Sequence, residues 1–424
     1  MKKIKLSSIA AILALALLLS ACGGNNKASN SSNTGSSKVQ EKEITLNVLL
    51  QAASSGSNAL PDINARFTEQ NPNIKINIES VPADKYDGLL KTRLASGDAP
   101  DLFGIYAGKK NEQYVDAGHL MDLSDQPWVN RMSPLAKKAV SVKGEVIGLP
   151  RSLSTIGVIY NKKVFNELNL DVPQNWDDFL MVNQAIKDSG KIPIAIGLKD
   201  LFVSQLVAYA MAPSAIYREN PDFDYQMEEG KQTFVGSAWE QMLTDYQDLN
   251  NKGYFNDSIL GTGLDGMLQM MSTEEAAMIV AIGGYVKQLR SMNPDLELGM
   301  FPLPYAKTGE EVWVSANVAG FAGVSSQTKH PEEAKKYLAF LAEPENYKLI
   351  LGEGGSAFTD VESVMDPAQM EMLPYMEVGT YQWLDAGWPS TVQPTLFNSI
   401  QELFIGNNSI EDLLKKLDEA FNKG

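Results

Sequence analysis

Cysteine is almost absent from this 424-residue chain: Cys22 stands alone, which excludes an intramolecular disulfide and leaves stability to core burial. Histidine is nearly as scarce, with only His119 and His330. No zinc spacing results, and neither a metal nor a cofactor is expected. A Gly-x-Ser-x-Gly nucleophile elbow is missing. Gly283-Gly284 and the run Gly352 to Gly355 lack the Lys-Ser/Thr ending of a phosphate loop. Basic residues are outnumbered, 36 against 52 acidic, for a formal charge of −16, a balance that argues against a nucleic-acid partner. Past the N-terminus no apolar run approaches the ~18 residues of a membrane span.

What is present begins at the N-terminus. Lys2, Lys3 and Lys5 precede an apolar run from Ile9 to Leu19, the pattern of a cleaved export signal over residues 1–21, too short to persist as a spanning helix. It ends in Leu19-Ser20-Ala21-Cys22, which resembles a bacterial lipobox. The resemblance implies lipidation at Cys22 by a diacylglyceryl group, with further acylation of the palmitate type. The protein would then be anchored on the extracytoplasmic face of the cell membrane, several acyl chains holding where one would not. Removing residues 1–21 takes away three of the 36 basic residues and no acidic one, deepening the charge from −16 to −19. Residues 22–43, rich in Gly, Ser, Asn and Lys, read as a flexible, lipid-anchored tether.

The body that follows exceeds the size of a single core, so two domains are expected. Ile44, Leu46, Val48 and Leu50 alternate as in a buried strand. Ala59 to Glu69 reads as a helix, and Ile74, Ile76 and Ile78 alternate again. Lys85 to Ala95 gives a second helix and Asp101 to Ile105 a short strand. Such strand–helix–strand units build parallel sheets that bind ligands beyond the carboxyl ends of their strands. Gln51 to Ser55 and Tyr106 to Glu112 therefore belong at a cleft. Glu145–Pro150 and Thr155–Tyr160 read as apolar segments separated by Arg151 to Ser154. A helix starts at Pro331, with Glu332 and Glu333 in its first turn and Ala334, Tyr337, Leu338 and Leu341 on one face. It is expected to end at Pro344. A last helix is expected over 410–421.

Several segments in order, Leu94–Asp101, Gly118–Leu123, Gly144–Pro150 with Ile159–Asn161, Pro173–Phe179, Ala276–Tyr285 and Leu298–Pro304, resemble the landmarks of the extracellular solute-binding protein family 1. The resemblance spans nearly the whole body. It implies an α/β, two-lobed periplasmic-binding-protein type II-like fold with a hinge crossed three times, near Gly148–Arg151, Leu298–Met300 and Val324–Ser325. The N-terminal lobe would hold residues 44–150 and 300–324, and the C-terminal lobe 151–299 and 325–424. The implied activity is capture of a small solute, a mono- or oligosaccharide, by a monomeric substrate-binding lipoprotein of an ABC importer that docks on the permease's transmembrane subunits and has no turnover. Two alternatives stay open. One is a polyamine or other small polar solute, since acids with aromatics can cradle a cation; the other is a secreted polysaccharide-active enzyme. Ferric-ion binders of similar build commonly use adjacent tyrosines, and none occur here.

A sugar needs aromatic platforms for its C–H faces and polar groups around its rim. The resemblance places stacking aromatics near Tyr381–Pro389, so Trp383 and Trp388 are candidates. Tyr285, behind Gly283 and Gly284, stands where the family commonly has Trp. Arg151 and Ser152 follow a hinge landmark and could aim donors at solute oxygens. Gln51, Ser54, Ser55, Tyr106, Lys109 and Glu112 match contact loops of the first lobe. Trp313 either faces the cleft or clamps the hinge, and Asn317 and Phe321 complete the set. Trp128, Trp176 and Trp239 read as packing residues, and Asp101 as a turn-ordering one.

Overall fold

The computed structural model describes residues 42–51, 59–351, 354–363 and 365–423. The export signal, Cys22, most of the tether, and Ser54 and Ser55 lie outside them. One compact unit begins at Glu43. Among the described residues no helix is long and apolar enough to cross a membrane.

The alternating isoleucines and leucines form β1 (Ile44–Gln51) and β2 (Ile74–Val81), parallel and in register from Ile44 opposite Ile74 to Gln51 opposite Val81. Between them the helix Leu60–Gln70 buries Leu60, Ile63 and Phe67. β3 (Leu102–Gly104) adds to the other edge of β1, also parallel. A short hairpin, β4 (Ser141–Val142) with β5 (Glu145–Val146), leads into β6 (Leu149–Asn161). β7 (Ile192–Ala195), β8 (Ala276–Ile282), β9 (Leu298–Phe301), β10 (Val314–Val324) and β11 (Thr380–Tyr381) complete the strands. The main sheet runs β2-β1-β3-β10-β6-β8-β7, with β9 on β6 and β11 on β10. Parallel pairs at each end meet in the middle through the antiparallel neighbours β3-β10-β6-β8.

β6 and β10 are the long members, and each runs through two cores. One core gathers Leu46, Phe67, Leu102, Val146, Leu149, Val318, Phe321 and Val324. The other gathers Ile156, Ile159, Phe179, Trp239, Ile279, Val314, Ala316 and Leu396. Leu153, midway along β6, touches both. By core membership the chain passes between them at Leu149–Ile156, at Ala316–Val318 and between Val361 and Ala368. β9, expected at a crossing, instead lies wholly on the second core, where Leu298, Met300 and Phe301 are buried.

Nor does the chain cross at Val324–Ser325. The helices Pro331–Leu341 and Pro344–Leu351 pack on the first core, with Tyr337 and Phe340 edge-on to Phe67 at 5.2 Å. Pro344 opens that second helix instead of only closing the first, because its fixed φ suits a first helical position. The second core is covered by the helix Trp176–Asp188, capped by Asn175 whose side chain accepts from the Asp178 N–H at 3.0 Å. The helices Val392–Phe404 and Ile410–Phe421 also cover it.

Candidate functional site: the cleft between the two cores

Between the cores lies a cavity of about 520 Å³. Its wall on the first side comes from Ala59, Leu349 to Leu351, Gly354 and Gly355, and on the second from Gly283, Gly284, Lys287, Asp366 and Gln369. Arg151 to Thr155 of β6 cross the back of it. This is the polar stretch that read as a break between apolar segments; it is continuous strand lining the gap between the cores, with Leu153 alone packing on both of them. Hydrogen bonding holds it there. The Gly283 N–H donates to the Thr155 carbonyl at 2.9 Å, Leu153 and Gly355 exchange backbone hydrogen bonds at 2.8 and 3.0 Å, and the Tyr347 hydroxyl donates to the Arg151 carbonyl.

Charge in the cavity is arranged, not diffuse. Burial presses the Arg151 guanidinium below its ordinary pKa, yet an arginine stays cationic and keeps its donors. Asp366 takes a two-point pairing from Arg290, at 2.6 and 3.1 Å. Burial works against its ionised form, but Arg290 and the Ala368 N–H outweigh it and hold the carboxyl below its usual range. A ligand hydroxyl thus meets a fixed cation and a fixed carboxylate across one space.

Beside the ends of β1 and β3 the first half carries a chain of polar side chains, and the loop that follows reaches the second half. Gln51 donates to the Tyr106 hydroxyl at 2.7 Å, which donates to Asp87 at 2.6 Å. Burial and this carboxylate raise the Tyr106 phenol well above its normal pKa, so it remains a donor at any working pH. From the loop after Tyr106, Lys109 pairs with Glu228 and Lys110 with Asp385 at 2.8 Å. Gly108 (φ +67°) sits so close to Ala386 that an added Cβ would lie 2.2 Å from that carbonyl oxygen, an approach only glycine permits. Lys110→Glu sets a like charge against Asp385. It is expected to enlarge the solute-free radius of gyration in X-ray scattering and to weaken solute binding several-fold.

The expected site residues divide accordingly. Arg151, Ser152, Gly283 and Gly284 line the cavity. Gln51 and Tyr106 bond to each other within the first half, and Lys109 reaches Glu228 of the second. Asn317 is half-buried on β10 opposite Ser154, and Tyr285, half-buried, starts the helix Tyr285–Met292 next to Gly284. Glu112 begins the helix Glu112–Asp116 and feels the charge of Lys143. The Trp313 ring lies against Gly379, and its backbone N–H donates to the Ser214 hydroxyl at 2.9 Å, which makes it a clamp at one end of β10. Trp383 is half-buried against the second core.

Two expectations are corrected. Phe321 is only 1% exposed, inside the first core, and Trp388 only 2% exposed, inside the second, so both rings pack against protein and are closed to a solute. Trp128 and Trp239 are buried, and Trp176 packs on Phe179 and Tyr305. Asp101 orders its turn by accepting from the Asn47 N–H and the Thr328 hydroxyl.

Sequence reading passed over Lys110, Asp366 and Asp224. The first had a signal, a lysine pair directly after a cleft glycine; the others are acids among many. Asp224 lies buried on the second core, accepting from Tyr217 at 2.7 Å and Tyr381 at 3.4 Å, and those two rings stack at 3.6 Å. Burial pushes its carboxyl up to about 6, against the lowering effect of the Tyr217 hydroxyl and Lys109. A folded-state pKa above the unfolded one means the folded form binds more protons, so the contribution of Asp224 to stability falls as pH rises from about 4 to about 6 and is flat above. Asp224→Asn is therefore expected to flatten that fall and to raise neutral-pH stability by on the order of 2 kcal/mol, measured by urea unfolding at pH 4, 5, 6 and 7.

Two cores on shared strands with a lined gap between them are the build of a protein that closes around a solute. A family model described as bacterial extracellular solute-binding protein matches residues 52–348. The chain belongs to that family. Among similar curated proteins, the multiple sugar-binding protein of Streptococcus mutans is 25% identical over 403 residues, covering 92% of this chain and 90% of that one. The melibiose/raffinose/stachyose-binding protein MelE of Bacillus subtilis is 22% identical over 290 residues, 67% of this chain and 66% of that one. In structure, this solute-binding protein superposes on an open conformation of the putative binding protein MsmE of Bacillus subtilis with a TM-score of 0.79. That match has 20% identity and covers 90% of this chain and 97% of that one. It superposes on RafE in complex with raffinose with a TM-score of 0.73, 22% identity, and coverage of 89% and 99%. The shared architecture is the two-lobed α/β solute-binding fold, and the family consists of extracytoplasmic binding proteins, not enzymes.

Proposed function

We propose that this protein is the lipid-anchored receptor of an ABC importer, capturing a mono- or oligosaccharide between its lobes and handing it to the permease without chemical change. The observation that carries the reading is the cavity of about 520 Å³ between two separately packed cores that share β6 and β10. Long strands common to both lobes absorb small dihedral changes, so the lobes swing as rigid bodies. Sugar as the solute is supported by what the named relatives bind and by the mix of fixed donors and acceptors around Arg151, Ser152, Asp366 and Gln369. Core membership supports lobes of residues 44–149 with 318–361, and 156–316 with 368–421.

In this mechanism the solute first contacts one lobe and gains the other's groups only on closure. It shifts an existing open–closed equilibrium by its differential affinity, and a swing from 1:99 to 99:1 takes about 5.5 kcal/mol. A few charge-assisted hydrogen bonds to Arg151 and Asp366 are of that order. Lysine pairs on the loop after Tyr106 favour the closed form. The lipid on Cys22 would keep a monomeric receptor beside its transporter.

Calorimetry against a panel of neutral oligosaccharides and spermidine tests this, with scattering on the same samples. Binding of a sugar with a fall in radius of gyration is expected. Binding of spermidine alone, or release of a cleaved product, would replace the reading with another.

A further inference from the structure

A second cavity, of about 550 Å³, opens on the second core and shares no lining residue with the cleft cavity. Its wall is an aromatic corner: Trp176 and Tyr305 meet edge to face, centroids 4.9 Å apart at 73°. Both rings are only half-buried. The Tyr305 hydroxyl donates to Asp245 at 2.6 Å, and Gln241 donates to the same carboxylate at 3.2 Å. Arg218 reaches the rim already satisfied by Glu310 at 2.8 Å, Glu219 at 3.1 Å and the Glu311 carbonyl at 2.7 Å.

We propose that this pocket is a second saccharide site, taking one pyranose ring of a neutral oligosaccharide independently of the cleft. The chemistry favours a neutral, hydroxylated ring over an ion. An anion would face the Asp245 carboxylate, and Arg218 is spent on two glutamates. A cation would find Lys307 in the lining and the carboxylates of Asp245, Glu219 and Glu310 already occupied by Tyr305, Gln241 and Arg218. A sugar uses each element as it stands: an apolar C–H face for the indole and phenol rings, and hydroxyls for groups already locked in place. Preorganisation matters here, because Asp245 and Arg218 lose little side-chain freedom on binding. A weak second grip would hold saccharide near the receptor and raise its local concentration at the cleft.

Saturation-transfer NMR with raffinose and maltotriose, alongside calorimetry, tests the site. Gly284→Trp fills the cleft cavity and serves as the background. In it, transfer from protein to saccharide is expected to persist. Adding Gln241→Trp, at an exposed rim position, should abolish it with a melting curve close to that of the background, and adding Tyr305→Ala should weaken it about tenfold. The proposal is overturned if neither saccharide shows transfer in the Gly284→Trp background, or if transfer there survives Gln241→Trp.

Discussion

Replacing Trp388 by alanine is expected to lower stability by about 3–5 kcal/mol, the range for removing a large buried ring, and to reduce the melting temperature by several degrees. Its indole is enclosed by Tyr209 at 6.1 Å, Phe234 at 5.8 Å and Trp239 at 5.7 Å, three aromatics on three different segments. None of them can follow a shrinking side chain without breaking its own packing, so the site keeps most of the cavity. Thermal and urea unfolding by circular dichroism check this. A variant that melted like the parent but no longer bound solute would place the ring in the cleft instead.

Gly284→Trp is expected to leave the fold intact and to cost at least about 100-fold in solute affinity, or about 2.7 kcal/mol. Gly284 has helical dihedrals, φ −58° and ψ −21°, so any L residue fits its backbone. A Cβ built there meets no other atom within 4 Å, because the space beside it is the cleft cavity. A bulky ring at that point occupies ligand volume and stops the lobes from meeting. Gly284→Ala is the control and should bind nearly as the parent does. Calorimetry with a sugar that binds the parent decides it; undiminished affinity in the tryptophan variant would remove this cavity as the site.

Much of the fold was legible because local pattern and tertiary need agree. The alternation from Ile44 became β1, and the apolar stripe of the last helix became Ile410–Phe421, with Leu413, Leu414 and Leu417 buried. β6 was read as two pieces for a physical reason. Where it spans the gap only Leu153 packs on the cores, so Arg151, Ser152 and Ser154 break the apolar pattern while the backbone remains extended. The helix at Pro331 was legible as a helix, but not which core it covers, since a stripe of Ala334, Tyr337 and Leu338 suits either.

The candidate site was legible as segments and much less so as side chains. Glycines at 283 and 284 and the polar run at 151 reached the cavity because backbone constraints there are local. Tryptophans did not sort the same way. Trp383 and Trp388 stand five residues apart in one irregular segment, yet one is half-buried and the other enclosed, a difference set by Tyr209, Phe234 and Trp239 far away in the chain.

By itself the sequence determined the α/β class, the absence of disulfides and of a zinc pattern, and the order of landmarks that marks the family. These follow from composition and from periods of two and 3.6 residues, which need only neighbours. The tertiary structure alone decided which core each late helix joins, where the chain crosses between lobes, which aromatics are sealed and which carboxylates are fixed by arginines. Those depend on contacts between residues tens to hundreds of positions apart, and no local pattern encodes them.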